Sequence, residues 1–240
     1  MDVYWLRQSE GDVPAHDAWL GAEEALVLSR LRFAKRRADW RLGRWTAKRA
    51  LAVYLNLPGD PQALAAMEIL AAPSGAPQAL FRNRPAAATI SLSHRAGHAI
   101  CAIAQSGAVL GCDLEIVEPR SDAFAADYFT AEEQALVARG SAVDRDRLLA
   151  LLWSAKESAL KALRAGLRLD ARSVAVSFAG GPAGEDGDGW HPLEARYEDQ
   201  TFYGWWRQQG DLLQTVVAQA LLSAAPVRLQ ASLARPLFGS

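Results

Sequence analysis

The chain is expected to adopt a mixed α+β (mixed α/β) fold. Helix-type and strand-type segments recur in both halves, and several strand pairs flank hairpin-type turns. Half of the 240 residues are hydrophobic, enough to bury a sizeable core. The length suits one large domain or two small ones, and no internal repeat stands out.

Residues 3–6 read as a short strand. Residues 22–55 are helical in composition and unusually basic, with a break expected near Gly43. Pro58-Gly59-Asp60-Pro61 marks a turn, and Asp60 is placed to cap a helix running through Leu70. Residues 71–77 form a small-residue loop. A strand over 89–92 is expected to hand over to a loop at 93–97. Residues 99–104 and 109–117 read as strands around the turn Gln105-Ser106-Gly107, and Pro119 ends the second. Thr130-Ala131-Glu132-Glu133 is a capping-box start for a helix through Val137. A longer helix follows over 145–164, closed by Gly166. Residues 173–178 alternate as a strand, 180–189 form a glycine-rich acidic loop, and 201–207 with 212–220 form a hairpin across Gln208-Gln209-Gly210. No element is assigned after Pro226.

Composition narrows the function classes. The formal net charge is −1, so the chain as a whole is no generic nucleic-acid binder. The two cysteines, Cys101 and Cys112, lie in apolar strand-like runs, which suits free thiols in a reducing compartment. The first ten residues lack a signal-peptide pattern, and no apolar stretch approaches the roughly 20 residues of a membrane span. A soluble cytoplasmic protein is expected.

Two segments carry the candidate chemistry. In Gly111-Cys112-Asp113-Leu114-Glu115, strand alternation puts Asp113 and Glu115 on one face and Leu114 and Ile116 on the other. Two adjacent acids fit either a solvent-facing sheet edge or a hard divalent cation, and spacing alone leaves both readings open. In Trp153-Ser154-Ala155-Lys156-Glu157-Ser158-Ala159-Leu160-Lys161, helical spacing puts Trp153, Glu157, Lys161 and Arg164 on one stripe, with Lys156 to one side. Glu157 and Lys161 fit a surface ion pair, or a third carboxylate beside a phosphate-neutralising lysine. Two of the four lysines of the chain lie here.

The basic run between Arg30 and Arg49 includes Arg32, Lys35, Arg36, Arg37, Arg41, Arg44 and Lys48. It suits either an anionic partner or a solvated helix face. Ser93 and His94 offer a hydroxyl and an imidazole to a phosphate. No zinc-type Cys/His spacing and no Walker-type or dinucleotide glycine pattern is present.

The order Arg84-Pro85, Ser91-Leu92-Ser93-His94, Gly111 to Glu115 and Trp153 to Lys161 resembles the 4′-phosphopantetheinyl transferases of the surfactin type. Tyr128-Phe129-Thr130 with Glu132-Glu133, and Leu42-Gly43-Arg44, are similar to two further stretches of that family. The resemblance spans about residues 30–180. It implies a monomer of two similar α/β halves related by pseudo-two-fold symmetry, near 1–110 and 111–240, with coenzyme A between them. The first half would take the 3′-phosphate and the second the metal and catalytic helix. It further implies that Asp113, Glu115 and Glu157 hold Mg²⁺, with Mn²⁺ as an alternative. Glu157 and Lys161 would be catalytic, and Arg41, Arg44, Arg84, Ser93, His94 and Lys156 would bind coenzyme A. The implied reaction moves the phosphopantetheine arm onto a serine of an acyl or peptidyl carrier protein, an acidic helical bundle. Tyr128, Phe129 and the helix around Val137 are the expected docking patch. Two departures stand out: Arg95 replaces a small hydroxyl residue, and Asn83-Arg84 replaces Gly-Lys.

Two other readings use the same residues. A Mg²⁺-dependent phosphohydrolase would cleave a nucleotide or coenzyme A with water, and a non-catalytic paralogue would bind coenzyme A or a carrier without reacting.

Overall fold

The computed structural model describes residues 1–165, 168–178 and 189–230, the side chains of residues 142 and 143 excepted. Gly166 and all of the expected 180–189 loop but Gly189 lie outside the described residues. In chain order the described elements are β1 (Tyr4–Ser9), α1 (Ala22–Arg30), α2 (Ala34–Tyr54), α3 (Pro61–Ala65), β2 (Met67–Ala71), β3 (Pro77–Phe81), β4 (Arg84–Pro85), β5 (Ala88–Arg95), β6 (His98–Gln105), β7 (Leu110–Ile116), α4 (Asp122–Tyr128), α5 (Ala131–Arg139), α6 (Ala142–Ala162), β8 (Val174–Ser177), β9 (His191–Tyr197), β10 (Gln200–Gln209), β11 (Leu212–Ala218) and β12 (Val227–Arg228). The fold is mixed α+β, as expected.

The strands form a sheet of order β12-β1-β6-β5, a second of order β7-β11-β10-β9-β8, and a small one of order β2-β3-β4. Alternation along the strands builds the layers. Cys101 and Ile103 of β6 pack with Ala47, Ala50 and Leu51 of α2. Ile100, Ala102 and Ala104 pack with Leu110, Cys112 and Leu114 of β7 and Val216 and Ala218 of β11. On the far side of the second sheet, Leu213 and Val217 join Leu152, Ala155, Ala159 and Leu160 of α6. The order is therefore α2, first sheet, second sheet, α6. Both cysteines are free and buried.

Several boundaries differ from expectation. The basic segment breaks between α1 and α2, at residues 31–33, rather than near Gly43. Gly43 stays helical, and a Cβ there would meet nothing within 4 Å. Asp60 caps α3 by accepting from Ala63 N at 3.0 Å, but the helix ends at Ala65. Met67 to Ala71 is a strand because it pairs antiparallel with Pro77 to Phe81. The strand expected at 89–92 continues through Arg95, so Ser93 and His94 are strand residues paired with Ile100 and Ala99. Ala96 and Gly97, both at positive φ, make the turn. Strands β6 and β7 flank Gln105-Ser106-Gly107 as expected, but belong to different sheets. The chain passes from the first sheet to the second between Gln105 and Leu110, and β12 returns to pair with β1. Asn83 has φ of 61°, a left-handed conformation that Asn and Gly both tolerate, which rationalises Asn in place of Gly there.

One packing device occurs twice. Glu24, third residue of α1, is fully buried against Lys48 of α2, and its Oε1 accepts from Ile69 N of β2 at 2.9 Å. Glu133, third residue of α5, is buried 2.8 Å from Lys156 of α6, and its Oε1 accepts from Val176 N of β8 at 2.9 Å. Each pair locks a short helix to a long helix and to the following strand.

Gly111 sets how closely α6 lies on β7. A Cβ there would sit 1.8 Å from Ser158 O and 2.8 Å from Ala162 N, both backbone atoms. Gly111→Ala must therefore push helix and strand apart. The expected cost is at the upper end of about 1–3 kcal/mol, read by urea unfolding. An unchanged midpoint would contradict this packing.

Candidate active site

The site lies on the seam where the edge strands β5 and β7 of the two large sheets meet α6. The two edges are joined by side chains: Cys112 N donates to Ser91 Oγ at 3.0 Å, and Ser93 Oγ donates to Asp113 Oδ1 at 2.7 Å. Alternation along β7 directs Asp113, like Gly111, toward α6. Opposite Asp113 in register stands Thr215 of β11, whose hydroxyl bonds Ser154 Oγ at 2.9 Å and Ser158 Oγ at 2.7 Å. The two serines of the helix motif thus dock α6 on the sheet, and the helix then presents Trp153, Glu157 and Lys161 along the seam.

Lys161 Nζ lies 2.7 Å from Asp113 Oδ1 and donates to Cys112 O at 3.1 Å. The lysine therefore serves the strand carboxylate rather than a surface pair with Glu157. Burial, the largest single effect, would lower the Lys161 value, but the charge and hydrogen bond of Asp113 together with Cys112 and Glu157 outweigh it, so Lys161 is held above the usual lysine range. Burial opposes ionisation of Asp113 as well, yet Lys161 and Ser93 hold it below the usual carboxylate range. Glu157 moves the other way. Desolvation first, then the charges of Asp113 and Glu115, raise it against the pull of Lys161. Glu115 is also raised, by desolvation and then by Asp113. Both Glu115 oxygens are engaged: Oε1 accepts from Trp153 Nε1 at 3.1 Å, and Oε2 lies 2.9 Å from Arg120 Nη2 and 3.5 Å from Arg95 Nε.

Asp113 Oδ2 and Glu157 Oε1 are buried and have no hydrogen-bond partner among the described residues. Desolvated carboxylate oxygens of this kind are unfavourable until a positive charge reaches them. Hard oxygen donors, one or two carboxylates with room for phosphate, suit Mg²⁺. Among the described residues no three His, Cys, Asp or Glu side chains gather closely enough to hold a metal ion by themselves. The residues therefore fit a two-carboxylate metal site completed by ligand oxygens.

Beside the acids opens a cleft of about 540 Å³, lined by Lys35, Arg36, Trp40, Arg44, Ser93 and His94, with Phe33 and Asp39 at its wall. Arg44 stacks on Trp40 at 4.8 Å. Desolvation in the cleft, then the charges of Lys161 and Lys35, hold His94 below its ordinary value against the pull of Asp39. Its imidazole is thus neutral near pH 7.

Residues 109–217 match the family model of the 4′-phosphopantetheinyl transferase superfamily. The matched stretch is just under half the chain, and contains Asp113, Glu115, Glu157 and Lys161. The match supports that family and a transferase. No curated protein matched the chain.

The other expected site residues are dispersed. Arg44, Ser93 and His94 line the cleft. Arg41 pairs with Asp17 at 2.9 Å and donates to Pro14 O at 2.5 Å. Arg84 is exposed on β4, a strand of the small sheet. Lys156, expected to contact coenzyme A, is instead fully buried against Glu133 and donates to Ala171 O at 3.0 Å. Its Nζ thus has no access to a ligand. Of the expected docking patch, Phe129 and Val137 are core residues, whereas Tyr128, edge-on to Trp153 at 4.8 Å, and the outer face of α5 are exposed. Sequence reasoning missed Arg120, whose cue was a lone cation just past the strand-ending Pro119. It also missed Phe33 and Trp40 within the basic run.

Proposed function

We propose that the protein transfers the 4′-phosphopantetheine arm of coenzyme A to a serine of an apo carrier protein, releasing 3′,5′-ADP. The observation that carries this reading is the pair of buried carboxylate oxygens of Asp113 and Glu157 without partners among the described residues, set beside Lys161 and next to a basic cleft. Asp113 and Glu157 would hold Mg²⁺, which when bound supplies Lewis-acid stabilisation of pyrophosphate charge. The 3′,5′-ADP portion fits the cleft, where Lys35, Arg36 and Arg44 offset its phosphates and the neutral His94 donates a hydrogen bond.

The carrier serine oxygen forms a bond to the pantetheine-side phosphorus as the bond to the ADP oxygen breaks in line. Glu157 would take the serine proton directly or through a water. Lys161 stays charged and offsets the negative charge on the transferring phosphoryl group. The reading carries with it a monomer acting in the cytoplasm, coenzyme A and a carrier as partners, and Mg²⁺ ahead of Mn²⁺. It also assigns the 3′-phosphate side to residues 1–110 and the catalytic side to residues 111–240.

The test is intact-mass spectrometry of apo acyl- and peptidyl-carrier proteins incubated with this protein, coenzyme A and Mg²⁺. A gain of one phosphopantetheine mass, abolished by EDTA, is expected. Cleaved coenzyme A with an unmodified carrier would overturn the transfer in favour of hydrolysis. Bound but intact coenzyme A across all carriers would point to a non-catalytic binder.

A further inference from the structure

The three acids that share the seam are not equivalent. Asp113 presents Oδ2, and Glu157 presents Oε1, as buried oxygens with no partner among the described residues. Glu115 presents neither oxygen. One is held by the Trp153 indole at 3.1 Å and the other by Arg120 at 2.9 Å and Arg95 at 3.5 Å. The holders are themselves fixed. Arg95 also pairs with Glu118, Arg120 lies over the Phe124 ring at 4.5 Å, and Trp153 packs edge-on against Phe124 at 5.4 Å.

We infer that Glu115 is no metal ligand in this protein but a positioning residue, held by Arg95, Arg120 and Trp153 as a wall of the site, with the metal taken by Asp113 and Glu157 alone. This rests on the metal site proposed above. The direction follows from what each acid would give up. A cation reaching Asp113 Oδ2 and Glu157 Oε1 satisfies two oxygens that now lack partners. Recruiting Glu115 would instead set the cation against Arg95 and Arg120 on oxygens they already hold, and draw on the carboxylate charge that neutralises Arg120, only 11% exposed. Mg²⁺ held against a pyrophosphate needs only one or two protein carboxylates.

Mn²⁺ titration followed by electron paramagnetic resonance, with coenzyme A present, reads ligation without turnover. Asp113→Asn and Glu157→Gln are each expected to weaken Mn²⁺ binding by at least about tenfold, whereas Glu115→Gln stays within about threefold of the parent. Glutamine keeps the shape of Glu115 and an acceptor for Trp153, and thermal melts of each variant confirm folding. Arg120→Gln is expected to free Glu115 and tighten Mn²⁺ binding by about threefold or more, a gain that vanishes in the Glu115→Gln background. A loss in Glu115→Gln as large as in Asp113→Asn would overturn the assignment and leave the two-carboxylate transfer chemistry otherwise intact. A parent protein that binds coenzyme A but no Mn²⁺ would overturn the metal site itself, and this assignment with it.

Discussion

Glu157→Gln is expected to lower phosphopantetheine transfer by about a thousandfold or more, while the metal-free protein melts no lower than its parent. The substitution removes the proposed proton acceptor and one of two proposed metal donors, yet keeps the volume of the side chain. Stability should follow the sign of the Glu157 shift. Its folded value is raised, by desolvation first and then by Asp113 and Glu115. Its contribution to folding is therefore fully present in acid, below the unfolded value, and is lost as pH rises through the raised one. At neutral pH the parent holds a disfavoured charge that the amide lacks. Melts in EDTA should show the variant equal or slightly more stable at pH 7.5, with the difference shrinking toward pH 4. Carrier mass spectrometry supplies the rate. A Glu157→Gln protein that still transfers in a Mg²⁺-dependent manner would remove Glu157 from the chemistry.

What could be read from the sequence was local, and what could not was carried by partners distant along the chain. Alternation over residues 111–115 correctly put Leu114 in the core and Asp113 on the opposite face. It could not say that Glu115 is held by Arg95, Arg120 and Trp153, because those residues come from three other places in the chain. The capping box at Thr130 was legible three residues ahead, but the second task of Glu133, burying Lys156, spans 23 positions. The basic run looked uniform, yet the fold divides it. Lys48 is buried against Glu24, Arg37 donates to Leu28 O and Leu31 O, and Arg41 pairs with Asp17, whereas Arg36, Arg44 and Lys35, the last paired with Asp39 at 2.6 Å, line the cleft. Strand β9 went unread because Pro192 interrupts its pattern. The proline is tolerated there because β8 pairs only with residues 194–197 of β9, leaving that end at a sheet edge.

Lys156→Met is expected to lower stability by about 3–5 kcal/mol, because it leaves the Glu133 carboxylate buried without its cation. Helical spacing alone places Lys156 one step from Glu157 and invites a ligand contact. The two assignments differ in what a second substitution does. If Lys156 is structural, adding Glu133→Gln should recover much of the loss. The amide carries no charge to bury, and its one oxygen can still accept from Thr130 N or Val176 N, which Glu133 serves at 2.9 Å each. If Lys156 touched coenzyme A, the second substitution would restore nothing, and the single variant would lose affinity at full stability. Urea unfolding of the two proteins, with coenzyme A titrated into each, separates these outcomes. The Lys48–Glu24 pair gives an internal control: it is equally buried, and no expectation places Lys48 on a ligand on its own account. Lys48→Met should cost a similar amount, and Lys48→Met with Glu24→Gln should recover it similarly. A matched response at both places would mean that a lysine inside the most recognisable motif of the chain holds α6 to α5 and β8, and acts on the chemistry only by fixing where Glu157 and Lys161 stand.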